Sequence, residues 1–296
     1  MLSVPRRIPF GDAPRSRPAW SAALPEPASW RGLVAPLGLG LGLALTLTIA
    51  GCSSSSSSAS ATPGEVSEIK VAAAADLSRA FTDVGRAFEV KTGKKVTFSF
   101  GSSGLLAKQV GEGAPFDLFA AANSAYADDA VKSGRCQADT KALYARGYIV
   151  VWTKKGATKV TSLADLTDAR FVKIAIANPE HAPYGKAARE ALQKAGIWDA
   201  VKPKLVFGEN VQQALQFAQT GNADAAIVGL ALAMATDGDT LRIAETEHAP
   251  LDQALVVCGT GARSAVAKDF AAFVGSPEGR AIMSRYGFVP PGDPVR

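Results

Sequence analysis

From about residue 67 to the C-terminus the chain repeats one unit: a short apolar run, a turn of glycine or small polar residues, then a segment whose apolar side chains recur at helical spacing. Few architectures accept that order. A strand that leaves through a helix and returns to its own sheet returns parallel, so the repeat predicts α/β layers, mostly parallel sheets flanked by helices. The first unit shows the pattern. Residues 69–75 read as a buried strand and Asp76 as a capping residue, with Leu77, Ala80, Phe81, Val84 and Phe88 as the inward face of a helix. Further strands are predicted at 95–98, 116–121, 148–152, 173–177, 204–206, 223–228 and 254–257. Helices are predicted to begin at Leu105, Ala125, Leu163, Lys186, Gln212 and Ala231, with closing helices at 266–274 and 278–286.

Ligand groups in such folds stand where strands end and helices begin. Four turns occupy that place: Ala75-Asp76, Ser102-Ser103, Pro183-Tyr184-Gly185 and Glu209-Asn210-Val211. Helix N-termini present free N–H groups there, and several meeting in one cleft would seat a compact anion without help from Lys or Arg. Taken singly, each turn reads equally well as an ordinary cap. Gly101-Ser102-Ser103-Gly104 lacks the Gly-Lys-Ser/Thr of a phosphate loop and does not match the dinucleotide fingerprint. A serine hydrolase built on Ser102 or Ser103 would need a base. The only histidines are His181 and His248, and no Gly-x-Ser-x-Gly surrounds either serine. We therefore expect no enzyme.

The first 51 residues read as an export signal. Arg6, Arg7, Arg15, Arg17 and Arg31 precede an apolar run, residues 33–50, that ends at Ala50-Gly51-Cys52. Cys52 after Ala-Gly resembles a bacterial lipobox, in which the cysteine carries lipid; residues 52–66, rich in serine, would then be a tether. The chain carries 32 Lys+Arg against 27 Asp+Glu, but the signal holds five of those bases and only Asp12 and Glu26 of the acids. What remains is 27 against 25, a balance that offers no case for nucleic acid. Beyond Cys52 only Cys136 and Cys258 remain, either an exported disulfide or two buried thiols.

With the four turns laid out, the order and spacing of seven short segments carry a resemblance. They are 71–77 (VAAAADL), 100–104 (FGSSG), 113–119 (GAPFDLF), 177–185 (ANPEHAPYG), 208–211 (GENV), 221–224 (GNAD) and 285–288 (RYGF). Together they resemble the periplasmic molybdate-binding proteins of ABC importers, from about Glu68 to Val289. The resemblance implies a two-lobed periplasmic-binding-protein fold of type II, each lobe a mostly parallel sheet flanked by helices, joined by a hinge of two segments. Lobe one would comprise 67–144 and 254–296, and lobe two 145–253. It also implies binding of molybdate and tungstate with no cofactor and no directly ligated metal cation, delivery to a membrane permease and its ATPase, and a monomer.

Carried over by position, the oxyanion would meet Asp76, Ser103, Ala122, Tyr184 and Val211. Ser103 would give hydroxyl and N–H, Ala122 and Val211 backbone groups, and Tyr184 its phenol or N–H. Two positions depart from the pattern. Relatives often carry Ser where Asp76 stands, so we expect its carboxylate to turn back onto the N–H of Ser78 or Arg79, with Arg79 helping to neutralise it. Gly229 stands where some relatives have a binding Tyr, a phenol that Tyr184 would replace from another turn. Alternatives are a site for another oxyanion such as sulfate, or a surface lipoprotein that binds a partner and no solute.

Overall fold

The computed structural model describes residues 66–157 and 159–291. The export signal, Cys52 and most of the tether lie outside the described residues. Two five-stranded sheets form the frame. In the first sheet, β1 (Glu68–Ala74) lies parallel between β2 (Lys95–Gly101) and β3 (Leu118–Ala121), and the antiparallel β10 (Leu251–Val257) joins β3 to β4 (Ala142–Gly147). In the second, β6 (Ile174–Ala177) lies parallel between β7 (Leu205–Gly208) and β8 (Ala225–Gly229). The antiparallel β5 (Ile149–Lys154) then links β8 to β9 (Gly238–Arg242).

Each sheet is therefore mixed rather than mostly parallel. The parallel trios are the units with crossover helices. The antiparallel strands are those by which the chain passes between sheets: β4 runs into β5 across Tyr148, and the return lies between β9 and β10. No helix intervenes at the first crossing, so nothing imposes a parallel return. Leu251 pairs with Gly147, which sets the two crossing strands side by side where the sheets part.

Helices follow the parallel strands. They are α1 (Ser78–Thr92), α2 (Ser103–Gly111) and α3 (Ser124–Lys132) around the first sheet, and α4 (Pro183–Lys194), α5 (Trp198–Val201), α6 (Val211–Gln219) and α7 (Leu230–Met234) around the second. Two closing helices, α8 (Gly261–Gly275) and α9 (Pro277–Arg285), return to the first sheet's side. Helix α1 buries Ala80, Phe81, Val84 and Phe88 as its spacing predicts, and ends where Gly93 adopts φ 72°, a left-handed stop. Phe81 and Phe88 pack edge-on against Phe270 of α8, with ring centroids 6.0 and 5.3 Å apart. Cys136 and Cys258 are joined by a disulfide that fastens the segment after α3 to the end of β10. Among the described residues no helix is long and apolar enough to cross a membrane.

Candidate functional site

All four turns meet. One cavity is lined by Ala74, Ala75 and Asp76 after β1, by Gly101 to Ser103 after β2, and by Ala122 after β3. Facing them are Ala182 to Tyr184 after β6 and Asn210 and Val211 after β7. The five residues carried over by position all line it. It leaves about 10 Å³ for the centre of a water-sized sphere, room for roughly one water. Among the described residues no Lys or Arg lines it, and Asp76 carries the only formal charge on its wall.

Each turn is shaped by local chemistry. Asn210 closes the N-terminus of α6, its side-chain oxygen accepting from the N–H groups of Gln212 and Gln213 at 3.0 Å, which leaves Val211 at the first helical position. Pro183 opens α4 three residues earlier than the predicted Lys186, because its missing N–H and fixed φ suit a first turn. Tyr184 and Gly185 thereby belong to the helix. Gly185 is required by close approach: a Cβ there would collide with the Ala177 carbonyl.

Helix α2 begins at Ser103, two residues before the predicted Leu105. Ser102 stands in its N-cap position yet does not cap. Its hydroxyl donates to the His181 carbonyl at 2.5 Å and lies 2.9 Å from His181 Nδ1, and the Gly104 N–H donates to the same carbonyl at 2.9 Å. The segment before α4 is thus pinned to the N-terminus of α2. With the serine's hydrogen spent on a carbonyl, Nδ1 is left to donate toward Oγ, the reverse of a general base. Ser103 is buried, and its Oγ accepts from the Ala122 N–H at 3.0 Å. The Ala122 N–H is thus engaged by Ser103, and Ala122 bears on the cavity beside it.

Asp76 departs furthest from expectation. It lies in the 3₁₀ turn Ala75–Leu77, and neither that turn nor α1 has a side-chain cap. Instead Oδ2 accepts from the Tyr184 phenol at 2.8 Å and from Gln253 Nε2 at 2.6 Å, while Gln253 Oε1 accepts from the Tyr144 phenol at 2.7 Å. Arg79 is exposed and makes no ion pair with Asp76. The expected cap and the expected cation are both replaced by this neutral network. The reason is spatial: a phenol and an amide, the amide itself held by a second phenol, reach a carboxylate that is 1% exposed, whereas a guanidinium would have to leave water to do so.

Oδ1 of Asp76 is buried with no hydrogen-bond partner. Burial drives the carboxyl up to about 6, outweighing the opposing bonds from Gln253 and Tyr184 and the weaker pull of the nearby Asp76 and Leu77 N–H groups. Burial, then the nearby Asp76 charge, pushes both Tyr184 and Tyr144 well above the usual phenol range, so each stays a neutral donor. Tyr184 fits because two neighbours lack side chains. A Cβ on Gly229 would fall 3.0 Å from its ring, and one on Gly147 would collide with its hydroxyl.

Two members of this network were not singled out from sequence. Gln253 is fully buried in β10, and a lone amide within LDQALVV was a legible signal; Tyr144 carried none. Among the described residues no cluster of three or more His, Cys, Asp or Glu is placed to hold a metal ion.

Comparison with known proteins agrees over this same span. The family model for bacterial extracellular solute-binding protein matches residues 69–289. The molybdate-binding protein ModA of Rhodobacter capsulatus is 34% identical over 228 residues, 77% of this chain and 90% of that protein. A putative ABC transporter substrate-binding lipoprotein of Bacillus subtilis, YvgL, is 31% identical over 74% of this chain and 85% of its own. Among solved structures, the periplasmic molybdate-binding protein of Azotobacter vinelandii superposes with a TM-score of 0.71 at 29% identity, covering 75% of this chain and 99% of that one.

Proposed function

Since this chain belongs to the bacterial extracellular solute-binding protein family, we propose that it captures molybdate, and tungstate with it, in the cavity lined by Asp76, Ser103, Ala122, Tyr184 and Val211. The observation that carries the reading is that turns from both sheets, each opening a helix, line one small cavity free of Lys and Arg. Names of the similar proteins supply the ligand.

In this reading the Ser103 hydroxyl, its oxygen held by Ala122, donates its hydrogen to the anion. The N–H of Val211 donates from the first turn of α6, and that of Tyr184 from α4. The sheets form two lobes that divide at Tyr148 and between β9 and β10. A tetrahedral oxyanion is larger than the water-sized space present, so capture requires the lobes to part about those two crossings and close again. The protein works as a monomer without cofactor or catalysis. Exported and held to the membrane through lipid on Cys52, it hands its anion to an ABC permease and its ATPase.

The test is calorimetric titration of the purified protein with molybdate, tungstate, sulfate and phosphate at pH 7. Heat from the first two alone is the expected result; heat from sulfate alone would assign the site to a different oxyanion. Ser103→Ala should weaken molybdate binding at least tenfold. It should also lower stability by about 1–3 kcal/mol, because the buried Ala122 N–H loses its acceptor.

A further inference from the structure

An acceptor with nothing to accept is the least expected feature of a cavity meant for an anion. Anions bring oxygen lone pairs, and Asp76 Oδ1 brings more. The two oxygens of this carboxylate are not equivalent. Oδ2 takes two donors, from Tyr184 and Gln253, and the Tyr144 bond to Gln253 Oε1 fixes which way the amide points. Oδ1 is buried, unpartnered, and belongs to a residue on the cavity wall. With Oδ2 already accepting two bonds, a proton on this carboxyl would sit on Oδ1, the oxygen left free to donate to a bound anion.

Among the described residues no cation pairs with Asp76 to cancel its charge. Helices α6 and α7 contain no ionisable residue. Tyr184 of α4 and the neutral Gln253 of β10 bond Asp76, and Tyr144 of β4 bonds Gln253 in turn. On α1 the nearest cation, Arg79, is exposed, and β2 offers only Lys95 at its far, exposed end. His181 precedes the cavity-lining Ala182 and is engaged with Ser102.

We propose that Asp76 makes binding proton-linked: as the anion enters, one proton moves from solvent onto Oδ1, and the resulting O–H donates to an anion oxygen. This rests on the oxyanion reading above and adds a stoichiometry to it, one dianion with one proton. The carboxyl's raised set point, about 6, supports it by making that proton easy to acquire near neutral pH.

The test is calorimetry of the purified protein with molybdate at pH 7.5 in two buffers of different ionisation heat, repeated at pH 6 and pH 8. We expect uptake of about one proton per anion at pH 7.5 and 8 and about half a proton at pH 6, with an affinity that falls close to tenfold per pH unit from about 7 upward. Asp76→Asn should abolish the uptake and bind at least tenfold more tightly than the wild type at pH 8. Should that variant fail to fold, the proton count of the wild type decides alone. Binding by the wild type with no proton uptake and a flat pH profile overturns the proposal while leaving the molybdate reading intact. No heat from wild type and variant alike, with both folded by circular dichroism, removes the molybdate reading and the proposal with it.

Discussion

Asp76 is where single side chains matter most. Its carboxyl is held near 6 when folded against 3.8 as a free group, so the folded state binds a proton more readily. The native state therefore bears no penalty from Asp76 below pH 4, and the penalty grows as pH rises through 4 to 6 and is complete above. Two pH units correspond to roughly 3 kcal/mol. Denaturant unfolding of Asp76→Asn and wild type should thus show the difference moving toward the variant by about that amount between pH 4 and pH 7. A difference that stays constant would mean the folded carboxyl is not perturbed. Tyr184→Phe keeps the ring beside Gly229 but removes a donor to a buried carboxylate, a loss of about 1.5–3 kcal/mol at pH 7 measurable by the same unfolding. What sequence could reveal here had a clear limit. Asp76, Ser103, Tyr184 and Val211 stand at strand ends where ligands are expected, and they do line one cavity. Gln253 reaches Asp76 across 177 residues because β10 joins the first sheet beside β3, and Tyr144 reaches Gln253 because β4 pairs with β10. No local pattern encodes such a meeting.

Among the elements, α4 and α6 position the second side of the cavity, and both rely on their first turns. Asn210 closes α6 with two bonds, so Asn210→Ala should cost about 1 kcal/mol of stability, read as a lower unfolding midpoint. The same change should weaken anion binding, since Val211 would lose its fixed place; full affinity would show that the α6 terminus is dispensable. The parallel strands were legible because apolar runs alternating with helices describe them. Strands β4 and β9 were not. The first reads ALYARG and the second GDTLR, with mixed exposure and no clean alternation, and they pair because neighbouring strands offer them an edge. The early starts of α2 and α4 follow from Ser102 as an N-cap without a capping bond and from Pro183 at a first position.

At the scale of the molecule, two mixed sheets joined by two crossings let the turns of one face those of the other. The disulfide lies away from the cavity lining and closes a sequence separation of 122 residues. Loop entropy puts its contribution to stability at up to about 5 kcal/mol, so the Cys136→Ser/Cys258→Ser double variant should unfold more easily and still bind molybdate. The cavity assignment is tested most directly by the position of molybdenum in a crystal of the molybdate complex, located by anomalous scattering. One site is expected, with anion oxygens within hydrogen-bond distance of Ser103 Oγ, the Val211 N–H and Asp76 Oδ1. An anion bound elsewhere, for instance in the larger groove beside Lys70, Arg135 and Arg263, would contradict it.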